Sequence, residues 1–450
     1  MPKRPNILWI QTDQQSFDAL SCVAGDGWFS TPQLDALAGD GVRFDRAYCA
    51  NPLCVPSRTS MFSGRYSHET GVLANRGHTK GMEDFPCVGR VFADAGYATG
   101  HVGKWHMHYL EENTQQHGFE YLANSIHNGA DPGNAAASFR FLDEVRGDRP
   151  FFLVASYNNP HNICEWARGT RGDLPDGFIP EPPPLDELPP LKANHAPQIG
   201  EPDAVTLLRR SYHATGMSPC ANFTERDWRE YLWGYHRMVE HVDHHIGELL
   251  QGIEQRGLRE STAIVFVSDH GDAQGAQGWN QKTVLMDESA RVPLIISAPG
   301  QVPLGQTTQR LVNTGIDLYP TFCDIAGINA PAGLPGQSLW AHARDLRVDP
   351  GPDFVVAEAK FIQGAQIDGQ APIVEARMLR DDRYKYCVYD SGGNRESLVD
   401  MQSDPGETIN LAKDSNLQQQ RARLRSLLRE FCRSTDDPFL NALESLPDPA

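Results

Sequence analysis

"TAIVFVSDHGD", residues 262–272, is the stretch on which the reading of this chain turns. The apolar run from Thr262 to Val267 shows no polar alternation, so it reads as a strand buried on both faces. A polar cluster, "SDHGD", follows at once and brings Asp269 and His270. Strands buried on both faces belong to parallel sheets covered by helices, where ligands gather beyond the carboxyl ends of the strands.

Other runs repeat the pattern. "NILWI" (6–10) ends in "TDQ", with Asp13 and Gln14, and "PFFLVASY" (150–157) ends in "NNPH", with His161. "VPLIISAPG" (292–300) reads as one more strand of this kind. Between them lie amphipathic stretches. "TPQLDALAGDGVRF" sets Leu34, Leu37 and Ala38 on one face and closes at Gly41, and "VGRVFADAGYATGHVGK" reads as helix, glycine stop and strand. "TERDWREYLWGYHRMVEHVDHHIGELLQGIEQRG" is one long helix. The expected fold is α/β, with a large mixed, mostly parallel sheet flanked by helices.

Residues 165–225 differ. "LPDGFIPEPPPLDELPPLKANHAP" is too rich in proline for regular core structure and reads as a surface excursion at the rim of a pocket. Composition shifts again near "GLPGQSLW" (333–340). Beyond it, "DFVVAEAKF", "EARMLRDDRYKYCVYD" and "RESLVDMQ" read as short strands, followed by a helix over about 416–433. The expected division is a large domain over 1–345 and a smaller one over 346–450, with an antiparallel sheet and a helix.

The chain has 450 residues, 40% hydrophobic and 22% charged, with a formal net charge of −18. That charge argues against nucleic acid or an anionic membrane as partner. No apolar run approaches the roughly 18 residues of a membrane span. The start, "MPKRPNILWIQTDQQ", holds only a short apolar stretch and no small-residue cleavage site. A cytoplasmic location is expected, or a periplasmic one if a leader has been removed. The nine cysteines are scattered without CxxC spacing, which fits reduced thiols.

One cysteine stands apart. Cys54 lies in "NPLCVPSRTSMFSGR" (51–65), before a small-residue stretch able to start a helix. Arg58 sits one helical turn on and can reach back to it. Alone, an aspartate after a strand is most often a helix cap. Asp13–Gln14 and Asp269–His270 at one edge of one sheet instead make an oxygen-rich site of the sort calcium or magnesium accept. "GKWH" supplies Lys104 and His106, which a strand would point to one face. "NNPH" supplies His161 and "WNQKT" supplies Lys282.

These motifs resemble the type I sulfatases of the alkaline-phosphatase-like superfamily. "CVPSR" matches the C-x-P-S-R signature, and "GKWH", within "GYATGHVGKWHM", the second signature. "PNILWIQTDQQSFDAL" matches the amino-terminal metal strand. "FVSDHGD" and "WNQKTVLMDESARVPLII" match the second metal segment and its lysine, and "LVDMQSDPGETINLA" the carboxyl-terminal segment. The resemblance implies a sulfuric ester hydrolase with an alkaline-phosphatase-like fold. Cys54 would be converted by a maturation enzyme to formylglycine. One hydroxyl of the hydrated aldehyde attacks sulfur, and the other expels sulfate on returning to the aldehyde. Asp13, Gln14, residue 54, Asp269 and His270 match the metal ligands, with calcium first and manganese or magnesium behind it. Arg58 matches the residue that fixes the modified side chain, and Lys104 and His106 the pair around the hydrate. His161 and Lys282 match the pair near the leaving oxygen. Many relatives carry two adjacent aspartates where this chain has Asp13-Gln14, and asparagine where it has His270. The usual three carboxylates are here two, as in choline sulfatases, phosphonate monoester hydrolases and some sugar sulfatases.

The substrate implied is a small sulfated one, a carbohydrate first. Asn158, Asn159, Glu165 and Trp166 of "YNNPHNICEW" are candidates for its rim. A phosphonate or phosphate ester hydrolase, or a choline-type sulfatase, is the alternative on the same site. An inactive ligand-binding homologue is the rival from outside enzymes. The sequence leaves the oligomeric state open.

Overall fold

The computed structural model describes residues 4–25, 27–78, 81–123, 131–170, 179–369 and 372–447. The first five residues of the proline-rich stretch quoted above lie outside these. Eight strands form the main sheet: β1 (Asn6–Asp13), β2 (Val42–Tyr48), β3 (Ala98–Gly103), β4 (Tyr121–Ala123), β5 (Phe151–Pro160), β6 (Thr262–Ser268), β7 (Leu294–Ser297) and β8 (Gln306–Asn313). Their spatial order is β4-β3-β5-β1-β6-β7-β2-β8.

Every residue of β1, β5 and β6 is buried, as their unbroken apolar runs require. The helices that cover them are α1 (Pro32–Gly39), α2 (Cys54–Ser63), α3 (Val88–Asp94), α4 (Glu225–Gln255) and α5 (Thr314–Ala326). On one face Leu8, Ile10, Ile264 and Phe266 pack with Leu34 and Leu37 of α1 and Val242, Ile246 and Leu249 of α4. On the other, Ile7, Trp9, Val265 and Val267 pack with Met61 and Phe62 of α2, Phe92 of α3 and Phe322 of α5. The long helix α4 opens with a capping box between Thr224 and Asp227.

The sheet is mixed, with β7 antiparallel to both β6 and β2. β7 is the strand read from "VPLIISAPG", and its reversed direction is what makes the expected sheet mixed. A parallel return needs a crossover, normally a helix of a dozen residues or more. Between β6 and β7 the chain forms only a 3-10 turn, Ala276–Gly278, and a four-residue helix, Asp287–Ala290, and spends the rest on an irregular loop.

A second sheet contains β9 (Phe354–Phe361), β10 (Val374–Asp381), β11 (Tyr384–Tyr389) and β12 (Glu396–Asp400), all antiparallel in the order β12-β11-β10-β9. "EARMLRDDRYKYCVYD" is thus a hairpin of two strands, turning between Asp381 and Tyr384. Ala357, Ala359, Met378 and Cys387 join the main core, whereas Val356, Leu379, Tyr386 and Leu398 pack on Leu424, Leu428 and Phe431 of α6 (Gln418–Ser434). All nine cysteines are free. Among the described residues no helix is long and apolar enough to cross a membrane.

Candidate active site

Register brings the polar ends of four neighbouring parallel strands together. Thr12 of β1 pairs with Ser268 of β6, so Asp13 and Asp269 leave the sheet side by side. Asp13 also pairs with Pro160 of β5, the residue before His161. Gly103 of β3 pairs with Ser156 of β5, and Lys104 comes next. Gly103 has φ +89°, and a Cβ there would lie 1.8 Å from the Ser156 carbonyl oxygen, so the turn admits only glycine.

Because β3 ends at Gly103, strand alternation does not align Lys104 with His106. Lys104 is buried, with Nζ 2.8 Å from Asp13 Oδ2. His106 lies two residues on with φ 39°, partly buried. The pleat argument made from the sequence is therefore replaced by a tight turn after the strand.

Cys54 is the first residue of α2 and is fully buried. Its Sγ lies 3.0 Å from Lys282 Nζ, 3.2 Å from His270 Nε2 and 3.8 Å from Asp13 Oδ1. His161 lies close enough to interact with it electrostatically. Burial and the Asp13 carboxylate push the thiol up, but Lys282, His270 and Lys104 outweigh them and hold it well below the ordinary thiol range.

Arg58, one turn along α2, does not take up Cys54 as its hydrogen-bond partner, contrary to the reach-back reading. Its Nε donates to Asp269 Oδ2 at 2.8 Å and Nη2 to Asp13 Oδ2 at 3.1 Å. Nη1 donates to the Lys104 carbonyl at 2.9 Å and to Ser156 Oγ at 2.8 Å. The two buried carboxylates offer the guanidinium oxygen acceptors for its charge-assisted hydrogen bonds. The carboxylates themselves diverge. Burial raises both, but Lys104, His161, Lys282 and Arg58 hold Asp13 well below its usual value, whereas burial and the neighbouring Asp13 raise Asp269.

Gln14 sits in the left-handed region at φ 72°. Its N–H donates to Asp269 Oδ1, and its carbonyl accepts from the Tyr235 hydroxyl of α4 at 2.9 Å. Its side-chain Oε1 accepts from Lys282 Nζ at 2.5 Å, and its Nε2 donates to Asp272 Oδ2 at 2.7 Å. Lys282 stands on the irregular loop after β6, where the Gln281 N–H donates to the Tyr231 hydroxyl of α4.

Ligand atoms of Asp13, Cys54, Asp269 and His270 all lie within 4.8 Å of one another. Two carboxylates, an amide oxygen close by and one imidazole form an oxygen-dominated set that fits a hard divalent ion such as calcium, magnesium or manganese.

The rim candidates have other partners. Asn159 Nδ2 donates to Asp131 Oδ2 at 2.7 Å, while Glu165 accepts from Arg168 at 2.8 Å and from the Thr170 hydroxyl at 3.0 Å. Trp166 packs on Trp233 of α4. Asn158 Nδ2 donates to Asn162 Oδ1. Sequence reasoning missed several supporting groups. Asp131 accepts the N–H groups of Asn158 and Asn159 and so fixes the segment before His161. Ser57 Oγ donates to the Asp269 carbonyl, and Ser156 Oγ to that of Lys104. Asp272, two residues past His270, is the one whose place in "SDHGD" gave a signal.

The family profile described as "Sulfatase" matches residues 5–328, and that of "N-sulphoglucosamine sulphohydrolase, C-terminal" matches residues 275–434. The chain is 30% identical to a Delta 4,5-hexuronate-2-O-sulfatase of Bacteroides thetaiotaomicron, over 97% of this chain and 90% of that one. It superposes on a solved 2-O GAG sulfatase with a TM-score of 0.82 at 27% identity, covering 99% of this chain and 97% of that one. It also shares its fold with the phosphonate monoester hydrolase of Agrobacterium radiobacter, with a TM-score of 0.78 at 22% identity over 96% of each chain. The chain therefore belongs to the sulfatase family and is a sulfuric ester hydrolase.

Proposed function

We propose that the chain removes sulfate from a sulfated mono- or short oligosaccharide, using a formylglycine made from Cys54 and one divalent ion, calcium first. The observation that carries this reading is the buried convergence of Cys54 with Asp13, Asp269, His270, Lys282 and His161 at one sheet edge. A thiol with structural duty alone needs none of that company. The likeness to a hexuronate-2-O-sulfatase supports a carbohydrate.

Formylglycine would supply two hydroxyls on one carbon, one to attack sulfur and one to release the sulfate afterwards. The ion would supply Lewis acidity, held by Asp13, Gln14 Oε1, Asp269 and His270. The remaining work falls to the protein. Residue 54 opens α2, whose amino end favours an anion. Lys104 and Lys282 add positive charge for the sulfate oxygens, and Arg58 holds Asp13 and Asp269 in place. Lys282 and His161 are the pair proposed to supply the proton to the departing alcohol, and His106 is the base proposed for regeneration.

The test is to make the chain together with a formylglycine-generating enzyme, weigh the peptide containing residue 54, and assay a panel of substrates. Expected are loss of sulfur and gain of oxygen at residue 54, and turnover of short sulfated sugars above choline sulfate and phosphonate monoesters. Cys54→Ser should lose turnover, becoming trapped after one sulfation. Full activity with an unmodified thiol overturns the aldehyde, and a preference rising with polymer length overturns the small substrate.

A further inference from the structure

We infer that Asp272 is a positioning residue for the metal site, fixing the Gln14 amide so that its oxygen, and not its nitrogen, faces the ion. This rests on the metal reading above and deepens it.

Gln14, like the His270 ring, has a wrong orientation available to it. Flipping its amide replaces a good oxygen donor with an NH2 group that no cation accepts. Two neighbours remove the choice. Lys282 Nζ, 2.5 Å from Oε1, has only protons to offer. Asp272 Oδ2, 2.7 Å from Nε2, has an electron pair to offer. The flipped amide would oppose like to like on both sides. Asp272 is itself immobilised. The Tyr231 hydroxyl donates to Oδ2 at 2.8 Å, the Gln274 N–H donates to Oδ1 at 2.7 Å, and the side chain is fully buried. Asp272 is not among the clustered ligand atoms, so its effect passes through Gln14.

The arrangement also moves charge. An amide that donates to a carboxylate carries more negative charge on its oxygen. With Asp13 and Asp269 at the ion, Asp272 acts as a third carboxylate one hydrogen bond away.

The experiment is a double-mutant cycle on the full chain, stripped of metal with a chelator and titrated with calcium by calorimetry, with melting temperature as a second readout. In the Gln14 background, Asp272→Asn turns an acceptor into an amide whose NH2 can face the Gln14 NH2. Calcium affinity should fall tenfold or more, the size typical of losing such an outer partner. In the Gln14→Glu background, the amide introduced by Asp272→Asn has a carboxylate to donate to, so the same substitution should not weaken calcium binding. That reversal separates orientation from a merely structural role. Equal losses in both backgrounds overturn the inference, because independent sites add. If Asp272→Asn alone fails to fold, the charge-conserving double variant decides. Calcium bound within a few-fold of the original chain supports the inference, and a folded double variant that does not bind calcium overturns it. An original chain that binds neither calcium, manganese nor magnesium overturns the metal reading itself, a result distinct from equal losses.

Discussion

At the scale of single residues the site is a problem in buried charge. Asp13 and Asp269 are both fully buried, and Arg58 spans them with separate nitrogens. Removing one member of such a cluster leaves uncompensated charge in the interior. Arg58→Ala should cost about 3–5 kcal/mol in denaturant unfolding of the metal-free chain. Added calcium should return part of the loss, since an ion between the same carboxylates neutralises the same charge. Arg58→Lys should fall between, restoring charge without the planar fork. A loss below about 1 kcal/mol, the scale of an exposed pair, would show that the carboxylates do not depend on the guanidinium. Much of this scale is legible in the sequence. The residue types and their motif order point to Asp13, Cys54, Lys104, Asp269, His270 and Lys282, which the fold gathers. Illegible are the partners, since Arg58 chooses between a thiol and two carboxylates only once all three share one buried space.

At the scale of elements the site depends on how strands end. β3 terminates in a turn that only glycine fits, and this sends Lys104 under Asp13 instead of leaving it on a pleat. Gly103→Ala should therefore do more than strain the backbone, which alone costs about 1–3 kcal/mol. The added methyl meets the Ser156 carbonyl, so β3 must shift and carry Lys104 with it. Gly96→Ala is the comparison, at φ +83° with nothing within 4 Å of the added atom. Unfolding and turnover measured together should show Gly103→Ala losing both and Gly96→Ala losing only the stability that backbone strain takes, with turnover kept. Equal behaviour would sink the argument. Here the sequence is half legible. Unbroken apolar runs reveal β1, β5 and β6, because burial on both faces writes itself into every residue. The direction of β7 and the hairpin inside "EARMLRDDRYKYCVYD" leave no such mark, since direction is set by what the connection permits.

At the scale of the whole molecule the two sheets are tied by a buried network. His68, just past α2, places Nδ1 2.6 Å from Glu358 Oε1 on β9 and Nε2 3.1 Å from the Thr435 carbonyl after α6. Arg377 on β10 grips Asp437 with two nitrogens at 2.7 and 2.8 Å. Both His68 nitrogens face acceptors, so the ring suits its doubly protonated form. Burial pulls its pKa down, but Glu358 outweighs that and raises it above the usual histidine value. A raised folded pKa gives stability that is complete below the unfolded value of about 6.5 and is lost as pH climbs through the folded one. Urea unfolding from pH 6 to 9 should show the gap between the original chain and His68→Gln shrinking as pH rises, and a widening gap would refute the assignment. Nothing in the sequence links His68 to a carboxylate 290 residues away. The same long span governs Cys54. Its neighbours Asp269, His270 and Lys282 come more than two hundred positions later in the chain. At a synthesis rate of about 5–20 residues per second, "CVPSR" therefore spends roughly 10–40 s as an open segment before the part of the chain that seals it exists. The burial of the finished cysteine thus sets a clock, and chemistry that must reach that sulfur from outside has that interval in which to act.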